Sequence, residues 1–303
     1  MSFQKTRFRT RACVLLAWAA LGTLSVAHAT EGGGSAYPGG NENFLAGAAP
    51  PPGFYALVYG SSYSADTVRD NAGNKSTPPA FTLTANSISP RLVWSTPLSL
   101  PRGNLVLHTV LPLIDLDVSV AGVSEHKRGL GDVVVGAGWA MHHSDKLHSV
   151  LALDVILPTG SYEKNAMANL GRNYRTYQPL LAASFIDPQG FNADFKLMLN
   201  LNQRNGATGY TSGKEVFMDY SAGWGVAPGW TLGVGGVVTR QITDDEQNGV
   251  KISGTRTRAI AFGPSLKYDN GKGWFLTAKF QQETKVLNRA EGAAFWVKTN
   301  IPF

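Results

Sequence analysis

Phe191-Asn192-Ala193-Asp194-Phe195-Lys196-Leu197-Met198-Leu199-Asn200-Leu201-Asn202 alternates by residue type. Ala193, Phe195, Leu197, Leu199 and Leu201 fall on one set of alternate positions, and Asn192, Asp194, Lys196, Asn200 and Asn202 on the other. Successive side chains of a strand point to opposite faces, so this stretch reads as a strand with one apolar and one polar face. A helix would scatter both sets around its surface. The pattern recurs at 274–285, where Trp274, Leu276, Ala278 and Phe280 oppose Thr277, Lys279, Gln281, Glu283 and Lys285.

Working outward, the chain from Phe54 onward divides into segments of about ten to fourteen residues separated by turn formers. Strands are expected near 54–65, 82–97, 104–117, 131–143, 148–158, 174–186, 191–204, 214–227, 230–242, 256–268, 274–286 and 291–303. In 82–97 the apolar phase slips between Leu83 and Ile88, which predicts a β-bulge. The stretch 104–114 is apolar on both faces and leaves its direction open. Short breaks (98–103, 144–147, 187–190, 228–229, 269–273) alternate with mostly longer, more polar ones (66–81, 118–130, 159–173, 205–213, 243–255, 287–290). That is the arrangement of a transmembrane antiparallel β-barrel of about 12 strands, with short periplasmic turns, long external loops and both termini periplasmic. Trp94, Trp139, Trp224, Trp230 and Trp274 all lie beside short breaks, as an interfacial aromatic girdle requires.

The N-terminus reads as an export signal over residues 1–29. Lys5, Arg7, Arg9 and Arg11 precede an apolar run from Ala12 to Val26, and Ala27-His28-Ala29 supplies small residues for cleavage. Four of the 27 Lys+Arg lie in this leader and none of the 21 Asp+Glu, so a processed chain carries 23 cations against 21 anions. A net charge of about +2 gives no argument for nucleic acid. The single cysteine, Cys13, is also in the leader, so disulfides do not hold the processed chain together. Beyond the leader no apolar run is long enough for a spanning helix. In lipid every backbone polar group must be paired internally, which a closed barrel achieves. Residues 30–53 are Gly- and Pro-rich and form a non-strand segment before the barrel proper, 54–303.

Catalytic motifs are scarce: there is no Gly-x-Ser-x-Gly elbow, phosphate-binding loop or His-Glu-x-x-His. His142, His143, Asp145 and His148 flank a short break, but neighbouring strand residues point apart, so no metal site is expected. Asn74-Lys75-Ser76 matches a glycosylation triplet and is read as idle. Neither enzyme activity nor a cofactor is expected. Asp154, Asp194, Lys196, Asp219, Arg240, Lys279 and Lys285 are expected to face a polar lumen.

Two stretches resemble a known family. Asn43-Phe44-Leu45-Ala46-Gly47-Ala48-Ala49-Pro50-Pro51-Pro52-Gly53-Phe54-Tyr55 resembles the N-terminal signature of the family named for meta-pathway phenol degradation. Leu157-Pro158-Thr159-Gly160-Ser161-Tyr162-Glu163-Lys164, continuing through Asn169-Leu170-Gly171-Arg172-Asn173-Tyr174 to Gln178-Pro179, is similar to its central motif. The resemblance implies an outer-membrane protein that helps take up hydrophobic aromatic compounds. The stiff run Pro50, Pro51 and Pro52 suggests that 41–53 is held in the barrel mouth as a plug, with Phe44 and Leu45 packed inward. Tyr162, Arg172, Tyr174 and Tyr177 are candidate contacts for an arriving ring; an outer aromatic girdle is the other reading of the tyrosines.

These readings converge on a monomeric outer-membrane channel of a Gram-negative bacterium, passive and selective for small hydrophobic solutes. Its expected partners are membrane lipids and, through the terminal Phe303, the barrel assembly machinery. The alternatives are a structural or adhesive barrel with a closed lumen, and a lipid hydrolase.

Overall fold

The computed structural model describes residues 31–301. The expected export signal, 1–29, and the terminal Phe303 lie outside the described residues. A single 3-10 turn, Glu31–Gly33, precedes seventeen strands. These are β1 (Gly53–Arg69), β2 (Thr82–Leu100), β3 (Gly103–Val110), β4 (Leu113–Val120), β5 (Val123–Leu130), β6 (Val134–His142), β7 (Leu147–Ile156), β8 (Thr176–Phe185), β9 (Phe191–Asn202), β10 (Tyr210–Thr211), β11 (Glu215–Ala227), β12 (Trp230–Gln241), β13 (Asp245–Gln247), β14 (Val250–Ile252), β15 (Arg258–Asp269), β16 (Phe275–Leu287) and β17 (Arg289–Ile301). Antiparallel pairing runs β1-β2-β3-β6-β7-β8-β9-β11-β12-β15-β16-β17 and returns from β17 to β1, closing a twelve-stranded barrel. Closure leaves no free edge around this ring and satisfies the backbone without water. The small sheet of β10, β13 and β14 caps two long connections.

The polarity of the wall is inverted relative to a water-soluble barrel. On β9, Asn192, Asp194, Lys196 and Asn200 are buried, whereas Phe191, Phe195 and Leu197 are exposed. Phe54, Leu92, Leu151, Leu153, Trp224, Leu232, Val234 and Phe262 extend this exposed apolar belt around the outside. Such a surface suits hydrocarbon and not water. Phe54 stacks on Trp94, and Tyr268 lies between Trp230 and Trp274, all near the short-turn end.

Two strands are broken in a way the sequence did not reveal. β2 pairs with β3 along its lower half and with β4 along Thr82–Ile88, so β3 and β4 continue one another across Leu111-Pro112. β5 and β6 likewise continue across Gly131-Asp132-Val133. The loop expected over 118–130 is therefore strand, reversed by Ala121 (φ 53) and Gly122 (φ 83). Proline lacks the N–H that an unbroken ladder needs, which accounts for the first break. The break at 287–290 contains only Asn288 between strands, with φ 55. The bulge expected between Leu83 and Ile88 is absent, since β2 keeps continuous register there with both β1 and β4. What changes at that point is which face is apolar.

The N-terminal segment threads the lumen from end to end. Glu31 meets Tyr162, Asn205 and Ser212 among the long connections, and Pro50 meets Ser95 near the short turns. Among the described residues, Glu31 therefore lies at the long-connection end and Ile301 at the short-turn end. An even number of strands fixes where β1 begins and β17 ends, not the course of the chain before β1.

Candidate functional site

Residues 37–50 are held along one wall of the lumen by side chains from the strands. Asp219 accepts hydrogen bonds from the N–H groups of Gly40 (2.8 Å) and Glu42 (3.0 Å) and from the Tyr37 hydroxyl (3.0 Å). Ser221 accepts from Phe44 N, Asp194 from Ala46 N, and Ser184 from Gly47 N. The buried polar face that the alternation generates thus does for this segment what water or a ladder does elsewhere. Tyr37 packs with Leu180, Met198, Phe217 and Val237 in an apolar cluster inside the barrel. Phe44 is 1% exposed and, like Leu45, has positive φ (35 and 62).

Glu42 is the electrostatic centre. Its carboxylate lies 2.9 Å from Lys298, 3.5 Å from Arg91 and 4.0 Å from Lys196, while its carbonyl accepts from Lys279 at 2.7 Å. Lys298 also donates to Phe44 O at 2.7 Å. A buried carboxylate is tolerable only with such partners.

The segment leaves the opposite half of the lumen open as a cavity of about 420 Å³. Its floor is polar, with Glu42, Arg91, Lys196 and the pair His108–Asp154 (2.9 Å). A side chain on Gly136 would run into both His108 and Asp154, so glycine there makes room for the pair. On the side of β2 and β4 the upper wall is apolar, with Leu83, Ile114, Leu116 and Val118, joined by Leu170 from the connection 157–175. On β4 and β5 the outward side chains are instead Asp115, Asp117, His126 and Arg128. Along β2 and β4, above the lipid-facing belt, the wall therefore reverses its polarity and turns apolar side chains inward. Below the floor, Ala49, Tyr55, Leu57, Val93, Val106, Ala140 and Val150 fill the short-turn end.

The connection 157–175 borders the cavity through three fastenings. Asp132 accepts from Gly160 N (2.9 Å) and Arg172 N (2.7 Å), and Glu125 accepts from Met167 N (2.7 Å). Gly160 and Gly171 approach so closely that a Cβ on Gly160 would lie 2.7 Å from the Gly171 Cα. Glu125 stands on β5, above the apolar belt. Burial pushes its pKa up, but the Lys127 ammonium and the Met167 and Ala168 amides outweigh that and hold it below its ordinary value.

Of the residues singled out from sequence, Asp154, Asp194, Lys196, Asp219 and Lys279 are buried inside the barrel. Arg240 and Lys285 are not. Arg240 lies opposite Arg258 on the exposed outer face, past the end of the apolar belt. Lys285 takes φ 51 at a bulge that shifts the alternation, leaving it exposed and turning Val286 inward. Tyr162 and Arg172 line the cavity. Tyr174 is buried and donates to Ser212, and Tyr177 sits on the outward face of β8. Glu42, Arg91, Lys298 and Asp132 went unrecognised: an isolated charge in a loop or strand carries no periodic signal.

His142 and His148 face each other across a register pair, with Nδ1 atoms 2.9 Å apart, and His143 Nε2 meets Ser149 Oγ at 2.8 Å. Ser149 is thus a partner for His143, but among the described residues no carboxylate hydrogen-bonds that histidine. Asp115, Asp117 and His126 offer three ligand atoms within 4.8 Å of one another on the outer face, with Asp115 already engaging His126 and Arg128.

Comparison with solved structures agrees with this architecture. An outer membrane channel from Pseudomonas putida F1 superposes with a TM-score of 0.75 at 18% identity, over 86% of this chain and 99% of that one. The β domain of the Bordetella autotransporter BrkA gives 0.49 at 16% identity, over 82% and 99%. A mutant of TodX, described as a monoaromatic hydrocarbon channel, gives 0.43 at 9%, over 84% and 91%. The fold is that of an outer-membrane β-barrel. No curated protein matches the sequence. A family model does match, over residues 65–299, and the chain belongs to the family described as "Putative MetA-pathway of phenol degradation".

Proposed function

We propose that this protein is a passive outer-membrane channel for small hydrophobic, chiefly aromatic, compounds, with its long connections outside and its short turns in the periplasm. The observation that carries the reading is the reversed polarity of β2 and β4. Leu83, Ile114, Leu116 and Val118 give an arriving apolar solute a place to leave water above the membrane. The polar floor beneath then receives the hydroxyl of a phenol-like ring. The threaded segment 37–50 acts as the plug that narrows the path. Family membership and the description of TodX as a monoaromatic hydrocarbon channel support the same solute class. The channel makes and breaks no bond.

The test is solute flux into liposomes containing the refolded protein, comparing phenol and toluene with a sugar. Aromatic entry above that of protein-free liposomes, with little sugar flux, is the expected result. Equal rates with and without protein defeat the reading. The packing of Ala49, Tyr55, Leu57 and Val150 against Val93, Val106 and Ala140 favours a second reading, a structural barrel with a closed lumen, which that negative result would select.

A further inference from the structure

The outward-facing cations at the long-connection end form a site that the channel reading does not use. Arg240 on β12 and Arg258 on β15 are direct register partners and share the exposed face. Directly opposed residues on one face hold their Cβ atoms about 5 Å apart, and like charges so placed repel. Arg258 donates through Nε to the carbonyl of Lys285, which brings a third exposed cation alongside. Among the described residues none of the three is within ion-pair distance of a carboxylate, whereas Arg256, also exposed, is clasped by Asp244. Below them on the same face come first Val238 and Ile260, then Phe262 and Val234, both more than half exposed, with Phe280 beside them. The cluster therefore sits where hydrocarbon gives way to head groups, the depth at which long basic side chains meet lipid phosphate.

We propose that Arg240, Arg258 and Lys285 bind the phosphate of an anionic glycolipid in the outer leaflet. The guanidinium planes suit phosphate oxygens through paired N–H donors. The lipid's acyl chains continue down the belt over Phe262 and Val234. Bound phosphate removes the Arg–Arg repulsion, so the lipid stabilises the seam between β12, β15 and β16. The experiment titrates the full-length processed protein in detergent with diphosphorylated lipid A and with its dephosphorylated form, reading bound lipid by native mass spectrometry. Wild-type protein is expected to hold the phosphorylated form at least about tenfold more tightly. The double variant Arg240→Gln, Arg258→Gln is expected to lose that preference, while Arg256→Gln keeps it. Equal binding of the two lipids by wild-type protein overturns the proposal, even where a variant fails to fold. So does a double variant that folds, judged by its heat-dependent gel mobility, and binds as wild type. Millimolar inorganic phosphate is added as a third arm. Displacement of lipid A by it would mark a free-anion site and overturn the lipid assignment; persistence of the complex supports it.

Discussion

At the scale of single residues, Glu42 has consequences out of proportion to its place in an irregular segment. Lys298, Arg91 and Lys196 all face its one carboxylate, which is buried at the floor of the cavity. Removing one member of a buried ion cluster leaves the others unmatched, which costs about 3–5 kcal/mol. Glu42→Gln is therefore expected to lower the temperature at which the refolded barrel loses its compact gel mobility. Glu31→Gln, at the open end of the same segment, is expected to change it little. Equal melting of wild type and Glu42→Gln would show that the cluster does not anchor the segment. Glu125 offers a pH test. Its pKa is lowered on folding, so its contribution is complete above the ordinary carboxylate pKa and is lost as pH falls through the lowered value. Protection of the Met167 and Ala168 amides from hydrogen exchange should fall in that acid window. In Glu125→Gln the protection should no longer depend on pH there; a variant that still loses protection on acidification rules Glu125 out as the trigger.

At the scale of elements, the strands were largely legible and the interruptions were not. Turn formers and alternation together located all twelve walls, because lipid outside and polar groups inside impose period two on most strands, 104–114 excepted. The same rule misplaced Lys285, because one residue at positive φ resets the phase. Arg240, expected to face the lumen, shares the parity of Trp230, Leu232 and Val234 and lies outward, where the rim of a barrel also takes cations. The apparent phase slip in β2 was a real signal with a different cause: alternation persists from Ile88 to Leu83, but the solvent arrangement around it inverts. Arg91 and Glu42 were invisible because their partnership spans elements far apart in sequence. If the inverted stretch serves solute entry, its two faces must respond differently. Leu116→Asn should reduce aromatic flux about fivefold, the loss expected when roughly 1 kcal/mol of apolar contact is removed. Asp117→Asn, on the outward face of the same strand, should leave flux unchanged. Similar losses in both would point to damage of the β4–β5 hairpin and not to the lining of the cavity.

At the scale of the whole molecule, the barrel and its threaded segment complete one core. The apolar cluster of Leu180, Met198, Phe217 and Val237 closes only when Tyr37 is added, and Asp219, Asp194, Ser184 and Ser221 spend their hydrogen bonds on residues 37–47. A segment entering at one end and leaving at the other cannot be inserted after closure without being drawn through the lumen, so the wall must close around it. Its removal should then separate two quantities that usually move together. The twelve-stranded ring keeps every ladder hydrogen bond without the segment, and its freed carboxylates and ammonium groups gain water to solvate them. Deleting residues 31–50 is therefore expected to leave a folded barrel of lower thermal stability whose single-channel conductance is higher than that of the intact chain. Conductance unchanged in a folded deletion variant would place the constriction elsewhere, at Val93 and Val106 on the strand wall, and the segment would then be a structural filling and not a plug.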